Sequence, residues 1–493
     1  MNRRKLFNWF KTKGTPPMAY RYGNRSQSTS FGNTLEECVG LNDPVRAYDA
    51  FINALNLHEL GIEINPHKVG NPEYDPQAMV KLLVYGYSYG FRSSRKLERA
   101  VHHNLSFIWL LGGLTPDDKT ICQFRKENRS ALKKILKQCV RLCIQLDLID
   151  GNTLFVDGTK IRANASVKNT WTPEKCEAAL QKIDQRIELI LDECDTTDET
   201  EEAHNSLVQM NENFKDPQTL KTKIQETLEQ LKAEGKKSIN TTDPDCSRMN
   251  SIQGSHAGYN VQSVVDEKHG LILHTEVTSD NNDTAQFARQ IDQANETLGK
   301  KCQTACADSG FANTEELKKI DDQGIQVIVP TQKQASEKKP GPFDKERFAY
   351  DCENDRYLCP ENHSLSYSRI NQESNTKIYK ISDPQLCIQC PHFGVCTPSK
   401  MGRRITRLIH EETKEKLEAQ YQRPEAQAIY KLRKQKVELP FGHIKRNLKV
   451  DAFLLRGTEG TQAEMSILAT CFNVARMITL FGGVPALVGR LSA

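Results

Sequence analysis

Three acidic residues stand in settings unusual for carboxylates. Asp157 closes the apolar run 154–156, and Asp308 closes the run 304–307. Glu438 lies inside YKLRKQKVELPFGHIKRN, residues 430–447, among Lys431, Arg433, Lys434, Lys436, Lys445 and Arg446. Carboxylates at the carboxyl ends of strands can converge at one edge of a sheet, and a helix crossing that edge can bring a third. Three such groups at short range repel one another unless divalent cations lie between them. Two magnesium (or manganese) ions about 3.5–4 Å apart would activate an attacking water or 3′-hydroxyl and stabilise the leaving oxygen. Tyr430, Arg433, Lys445 and Arg446 would then hold the phosphates of the strand being cut. Each acid also has a simpler account. An Asp at a strand end caps a turn or a helix, and Glu438 is spaced to pair with Lys434 or Lys431 on its own helix.

A second group of ligand-type residues lies in 345–398. Cys387 and Cys390 form a C-x2-C knuckle, Cys396 follows, and Cys359 in YLCPENHSL supplies a fourth thiol upstream. Four thiolates suit a closed tetrahedral zinc site with Zn–S of about 2.3 Å. Cys352 and His363 are alternates for one ligand position, and buried thiols without metal are the other account. Such zinc would be structural, folding a zinc-ribbon-like insertion. Of the chain's 15 Cys, others such as Cys139, Cys143 and Cys471 fall at helical core spacing and read as small apolar residues.

The elements that must position these groups follow from composition and periodicity. With 38% hydrophobic and 26% charged residues, the chain can form a core and keep a solvated surface. No window approaches the roughly 20 apolar residues of a membrane span, and the basic start lacks a signal-peptide pattern. A cytoplasmic protein with reduced thiols is expected. The net charge of +4 is small, but it is segregated. Seven Lys or Arg precede Glu36 with no acid among them, 171–234 is acid-rich, and 430–450 is basic. Such segregation suits a phosphate backbone as well as ordinary solvated faces.

Residues 1–40 read as a basic arm and 41–150 as helical. Asp75 is placed to cap a helix with Pro76 at its first position, and a helix restarts after Asp117. Leu132, Ile135, Leu136, Cys139, Val140 and Cys143 mark one helical face. These helices suit a helix-turn-helix-like DNA module and a small bundle equally. The period then changes to strands at 154–156, 258–279 (a hairpin turning at 267–270), 304–307 and 325–331. Between them, 171–240 carries two apolar stripes, Leu180, Ile183, Ile187, Leu191 and Leu220, Ile224, Leu228, Leu231, as in an inserted antiparallel helical hairpin. The run 457–483 reads as a long helix packed back on the sheet. The fold class is α/β, a mixed sheet with helices on its faces.

Five stretches in this order, YDPQAMVKLLVYGYSYGFRSSRKLERA, TPDDKTICQFRK, VDGTKIRANAS, ADSGFAN and YKLRKQKVELPFGHIKRN, resemble bacterial insertion-sequence transposases of the DDE class. The resemblance implies an RNase H-like core over 151–170, 241–335 and 405–493. It also implies a helical DNA-binding domain at 41–150, the hairpin at 171–240 and the Cys-rich insertion at 340–400. It places magnesium on Asp157, Asp308 and Glu438, and DNA contacts on Tyr430, Arg433, Lys445 and Arg446. Four residues separate Arg433 from Glu438, where the best-known form of the signature has three. HAGYNVQSVVD and NND, residues 281–283, are also similar to the family but read as a core strand and a polar turn, leaving His256 and Asp283 unassigned. The implied function is a nucleoid-associated DNA transposase, at least dimeric on DNA. It would bind the terminal inverted repeats of its element, hydrolyse a phosphodiester at each end and join the 3′-hydroxyl to target DNA. The alternatives are a nuclease of the same core that never joins strands, and a DNA-binding protein with a dead metal site.

Overall fold

The strand Gly254–Asp266 is buried along nearly its whole length on both faces, which is why GYNVQSVVD carries valines at both odd and even positions. It organises the first of two units in the computed structural model, which describes residues 20–27, 34–62, 73–198, 206–251, 254–336, 341–372 and 374–492. That unit comprises 1–282, 292–301 and 435–493; the second comprises 283–291 and 302–434. Most of the expected basic arm, 1–19 and 28–33, lies outside the described residues. Helices and strands are mixed in the chain, as the α/β class requires.

In the first unit, Thr153–Arg162 pairs antiparallel with the central strand, from Leu154 opposite Asp266 to Arg162 opposite Gly258. Ser247–Ser251 and then Ile272–Thr278 share the other edge. The strand expected to end at Asp157 therefore runs five residues further. Gly158 does not break it, because Thr159 and Ile161 are β-branched and the partner strand continues.

The outer edge of Ile272–Thr278 would expose unpaired backbone groups. Helix Gly457–Leu480 covers it. Asn473 accepts from Ile272 N at 2.9 Å and donates to Ile272 O at 2.8 Å. Gln462 accepts from Val277 N at 2.7 Å and donates to Thr275 O at 2.8 Å. Two amides three helical turns apart thus supply a strand's hydrogen bonds. The expectation that no segment is long and apolar enough to span a membrane needs correction, since this helix meets that test by length and composition. Its apolar residues are buried against Arg129–Gln145, Pro76–Ser88 and the sheet.

The N-terminal helices start where side-chain caps allow. Asp75 accepts from Gln77 N at 3.0 Å ahead of Pro76–Ser88, and Asp117 accepts from Thr120 N at 2.7 Å ahead of Asp118–Glu127. Gly86 is needed for packing, because a Cβ there would lie 2.2 Å from Leu97 Cδ2. Glu464, fully buried, accepts from Leu454 N and Leu455 N at 2.9 Å each and pairs with Arg92 at 2.7 Å. Arg92 also donates to Ala452 O at 2.8 Å, and Phe453 N donates to Arg162 O at 2.8 Å. One buried ion pair thereby fixes the segment 451–455 between the N-terminal helices and the end of the Asp157 strand.

Helices Pro173–Asp198 and Ser206–Glu234 form the expected hairpin around Cys176, Ile183, Ile224 and Leu231. Its base is clasped by Thr170–Trp171 pairing with Ile239–Asn240. Leu220, expected in the seam, is exposed, because the buried contacts stop at Ile187 and Ile224. The Leu191 side chain lies outside the described residues.

The second unit contains the parallel pair Thr304–Cys306 and Gln326–Ile328. Helix Glu411–Tyr421 is pinned to that pair by Gln420 Nε2 donating to Val327 O at 2.9 Å. It also contains a five-stranded antiparallel sheet in the order Ala349–Asp351, Arg356–Leu358, Ser364–Asn371, Thr376–Ile381 and Arg404–Leu408. The sheet's core is Phe348, Tyr357, Leu365, Tyr379, Ile381 and Ile405.

Asn473→Ala leaves the Ile272 N–H and C=O unpaired in the core and should lower unfolding free energy by about 2–4 kcal/mol. The check is a urea midpoint that falls at unchanged m-value; an unmoved midpoint would show that the helix does not hold the edge.

Candidate functional site

Each cluster follows from its element. Asp157 lies opposite Ser263 in mid-strand, and strand alternation puts Thr159 on the same face. Lys445 reaches that face, its Nζ donating to Thr159 Oγ1 at 2.5 Å. Burial pulls the Lys445 pKa below its usual value, while the charges of Asp157 and Asp451 pull it back up. The lysine is thus held on the Asp157 strand through a neutral hydroxyl.

Lys445 and the exposed Arg446 belong to a π-helical turn, His443–Asn447, directly after helix Pro424–Gly442. Pro440 lacks the N–H that a regular helix would use, and a single π turn is a common adjustment where a helix serves a site. Ile444 buries the inner side of the turn, and the His443 ring meets Phe472 edge-on with centroids 5.5 Å apart. Glu438 is exposed one turn before. Among the described residues it pairs with neither Lys434 nor Lys431, so the intrahelical ion pair that would explain it simply is not made.

In the second unit Asp308 ends its strand as expected and caps the turn Ser309–Phe311, its Oδ1 accepting from Gly310 N at 2.9 Å. The capping account is therefore correct for one oxygen. The other, Oδ2, lies 4.0 Å from Arg433 Nη1, the outer limit of an ion pair. The Arg433 guanidinium sits 5.5 Å over the Tyr430 ring, which in turn meets Tyr421 edge-on at 5.2 Å. Burial raises the Tyr430 phenol pKa, against the pull of Arg433, which keeps its O–H available as a donor.

Sequence reasoning passed over Asp283. A Cβ on Gly310 would lie 3.0 Å from Asp308 Oδ1 and 3.8 Å from Asp283 Oδ2, so both carboxylates border the same glycine. The signal was the NND stretch itself, whose spacing alone reads as a turn.

Cys359, Cys387, Cys390 and Cys396, with His363 and His392, line one cavity of about 30 Å³, room for one water-sized guest. Two sulfurs accept backbone hydrogen bonds, Cys359 from His363 N at 3.3 Å and Cys387 from Arg403 N at 3.4 Å. Burial raises the Cys396 thiol, with Arg403 opposing and the other three thiols adding to it. Gly402, at φ +77°, has no room for a side chain, since a Cβ there would lie 2.3 Å from Ile381 Cγ2 and 3.4 Å from Cys387 Sγ. Cys352 is exposed and does not line the cavity. Among the described residues, no group of three or more His, Cys, Asp or Glu side chains is placed to hold a metal ion.

Two family models match the chain. A transposase domain (DUF772) matches residues 33–127, the N-terminal helices, and a transposase DDE domain matches 358–478. The second span includes the four Cys, Tyr430, Arg433, Glu438, Lys445 and Arg446. Among solved structures, the chain is similar to a piggyBac transposase synaptic complex with hairpin DNA, determined by cryo-EM. The identity is 10% and the TM-score 0.33, over 92% of this chain and 80% of that one. No curated protein matches.

In metal-free protein, acylation of Lys445 followed against pH by mass spectrometry should reach half-maximum below the ordinary lysine value. Asp157→Asn, which removes a charge favouring the ammonium, should lower that midpoint further. A variant midpoint equal to or above wild type would mean the Asp157 charge does not reach Lys445.

Proposed function

We propose that this chain, which belongs to the DDE-type transposases, uses Asp157, Asp308 and Glu438 to cut a phosphodiester at each end of its element and join the freed 3′-hydroxyl to target DNA. The observation that carries the assignment is Glu438. An exposed carboxylate with cations on every side would ordinarily pair with one of them, and among the described residues this one does not. It stays available within the span that matches the DDE domain.

A DDE transposase depends on a divalent metal. Hard carboxylate oxygens fit magnesium or manganese, with Asp157, Asp308 and Glu438 as its holders. When bound, two such ions would supply Lewis-acid stabilisation to the attacking and leaving oxygens. The remaining work falls to the protein's own groups. Arg433, braced on Tyr430, orients one phosphate, and the Tyr430 hydroxyl donates to a neighbouring oxygen. Lys445 and Arg446, on the rigid π turn, hold the strand next to Asp157. The N-terminal helices and the basic arm bind the terminal repeats. Two ends must be processed together, so the active assembly is at least a dimer. A core of RNase H type and work at the nucleoid complete this reading.

Structural zinc is the corresponding assignment for Cys359, Cys387, Cys390 and Cys396. Soft thiol donors around one small cavity, two of them accepting N–H···S bonds, fit it. The metal would fix the loops that flank the five-stranded sheet.

Asp157→Asn, Asp308→Asn and Glu438→Gln should each lower cleavage of an end-bearing duplex by at least roughly 10²-fold while leaving end binding intact. Wild type should also transfer a precleaved end to target DNA. Cleavage by the variants at the wild-type rate, or hydrolysis without any strand transfer, would remove this reading. Freshly purified, unchelated protein should hold about one zinc per chain, lost in Cys390→Ser; metal content near zero would remove the zinc assignment.

A further inference from the structure

The five-stranded sheet of the second unit carries its core on one face, and the other is open at Ser366, Arg369, Lys380 and Arg404 and covered only at Ile378. Its register identifies that open face. Asp351 stands opposite Arg356, Arg356 opposite Ser366, Ser366 opposite Lys380, and Lys380 opposite Arg404. Residues directly opposite point to the same side of an antiparallel sheet, so these five form one row across all five strands. The neighbouring row places Arg369 opposite Ile378 and Ile378 opposite Thr406. Leu365, Tyr379 and Ile405, on the alternate positions, make the core on the reverse face. Ser366, Arg369, Lys380, Arg404 and Thr406 are all exposed.

The charges on this face are not balanced. Arg356 is matched by Asp351 at 2.9 Å. The sheet's other ion pairs, Lys377 with Asp355 and Arg407 with Glu415, belong to the reverse face, because Lys377 and Arg407 alternate with Lys380 and Arg404. Among the described residues no ion pair reaches Arg369, Lys380 or Arg404. Like charges directly opposite on a sheet are destabilising, yet Lys380 and Arg404 stand in that relation with no acid between them. The Ser366 hydroxyl shares the row of Lys380 and Arg404, while Thr406 lines a cavity with Glu411, Lys414 and Glu418 at the far end of the face. Cations beside a small hydroxyl donor on a solvated face make a surface for phosphate oxygens rather than for a protein or an apolar ligand.

We infer that this face of the sheet is a second DNA-binding surface, on which Arg369, Lys380 and Arg404 contact the phosphate backbone of duplex DNA without reading its sequence. The inference rests on the DNA-transposase reading and extends it to a surface outside the catalytic trio and the Tyr430–Arg446 segment. The surface is fixed relative to Asp308 within the unit. Asn375, at the turn between the third and fourth strands, donates to Glu315 in the helix Thr314–Asp321 that follows the Asp308 turn. Its carbonyl accepts from Ile409 N at 3.3 Å. DNA held on the sheet is thereby held in register with Asp308.

The test is equilibrium binding of a random-sequence DNA duplex to the full chain as a function of salt. Each phosphate contact contributes about 0.9 to the slope of log K against log salt. The variant carrying Arg369→Gln, Lys380→Gln and Arg404→Gln should therefore lose about 2–3 from the slope while keeping its thermal transition and zinc content. A charge-preserving variant, Arg369→Lys with Lys380→Arg and Arg404→Lys, should keep the wild-type slope. A neutralised variant with the wild-type slope overturns the inference and leaves the transposase reading standing. A wild-type chain that does not bind the duplex at all removes both.

Discussion

Lys445 is buried enough for its ammonium to be disfavoured, yet it rests on the Thr159 hydroxyl at 2.5 Å, on the strand that carries Asp157. Arg433 stands 4.0 Å from Asp308, its guanidinium over the Tyr430 ring, and among the described residues Glu438 makes no ion pair with the lysines of its own helix. The common constraint is electrostatic. Under the proposed function, residues that take up metal cations and phosphate anions must stand near each other without neutralising each other. Two of the cations have a neutral support, Lys445 the Thr159 hydroxyl and Arg433 the Tyr430 ring. The cost is burial of partly solvated charge, and the surrounding fold has to hold it in place.

That holding is done by buried polar contacts far apart in sequence. Glu464 joins Arg92 to the backbone of 454–455, next to the turn that presents Lys445 and Arg446. Asn473 and Gln462 of the same helix close the sheet edge. A single buried helix, Gly457–Leu480, therefore supports the sheet and the basic turn together. Breaking one partner of a buried pair leaves an uncompensated charge, typically a loss of about 3–5 kcal/mol, so such contacts tolerate little variation.

Much of this was legible in the sequence wherever the cause is local. Asp75 and Asp117 announce helix starts because a cap needs only its own side chain and the next turn's N–H. The hairpin stripes at 180–187 and 224–231 follow from helical period. The position of Asp308 at a strand end followed from the apolar run before it. Asp157 was misplaced relative to its strand because Gly158 looked like a break, whereas the long partner Gly254–Asp266 carries the pairing through. Glu464 with Arg92, Asn473 with Ile272, and Asp283 beside Gly310 were not legible. Their partners come from distant segments, and nothing in their local spacing marks them. The row Arg356, Ser366, Lys380, Arg404 was hidden for the same reason, since only strand register brings it together.

The most direct measurement of the catalytic assignment places iron(II) where the native cation would bind and reads the protein's own backbone breaks after adding peroxide and ascorbate. If Asp157, Asp308 and Glu438 grip one metal centre, breaks appear together around residues 157, 308 and 438 and vanish when magnesium is added in excess. Breaks confined to one of these segments, or indifferent to magnesium, would contradict it.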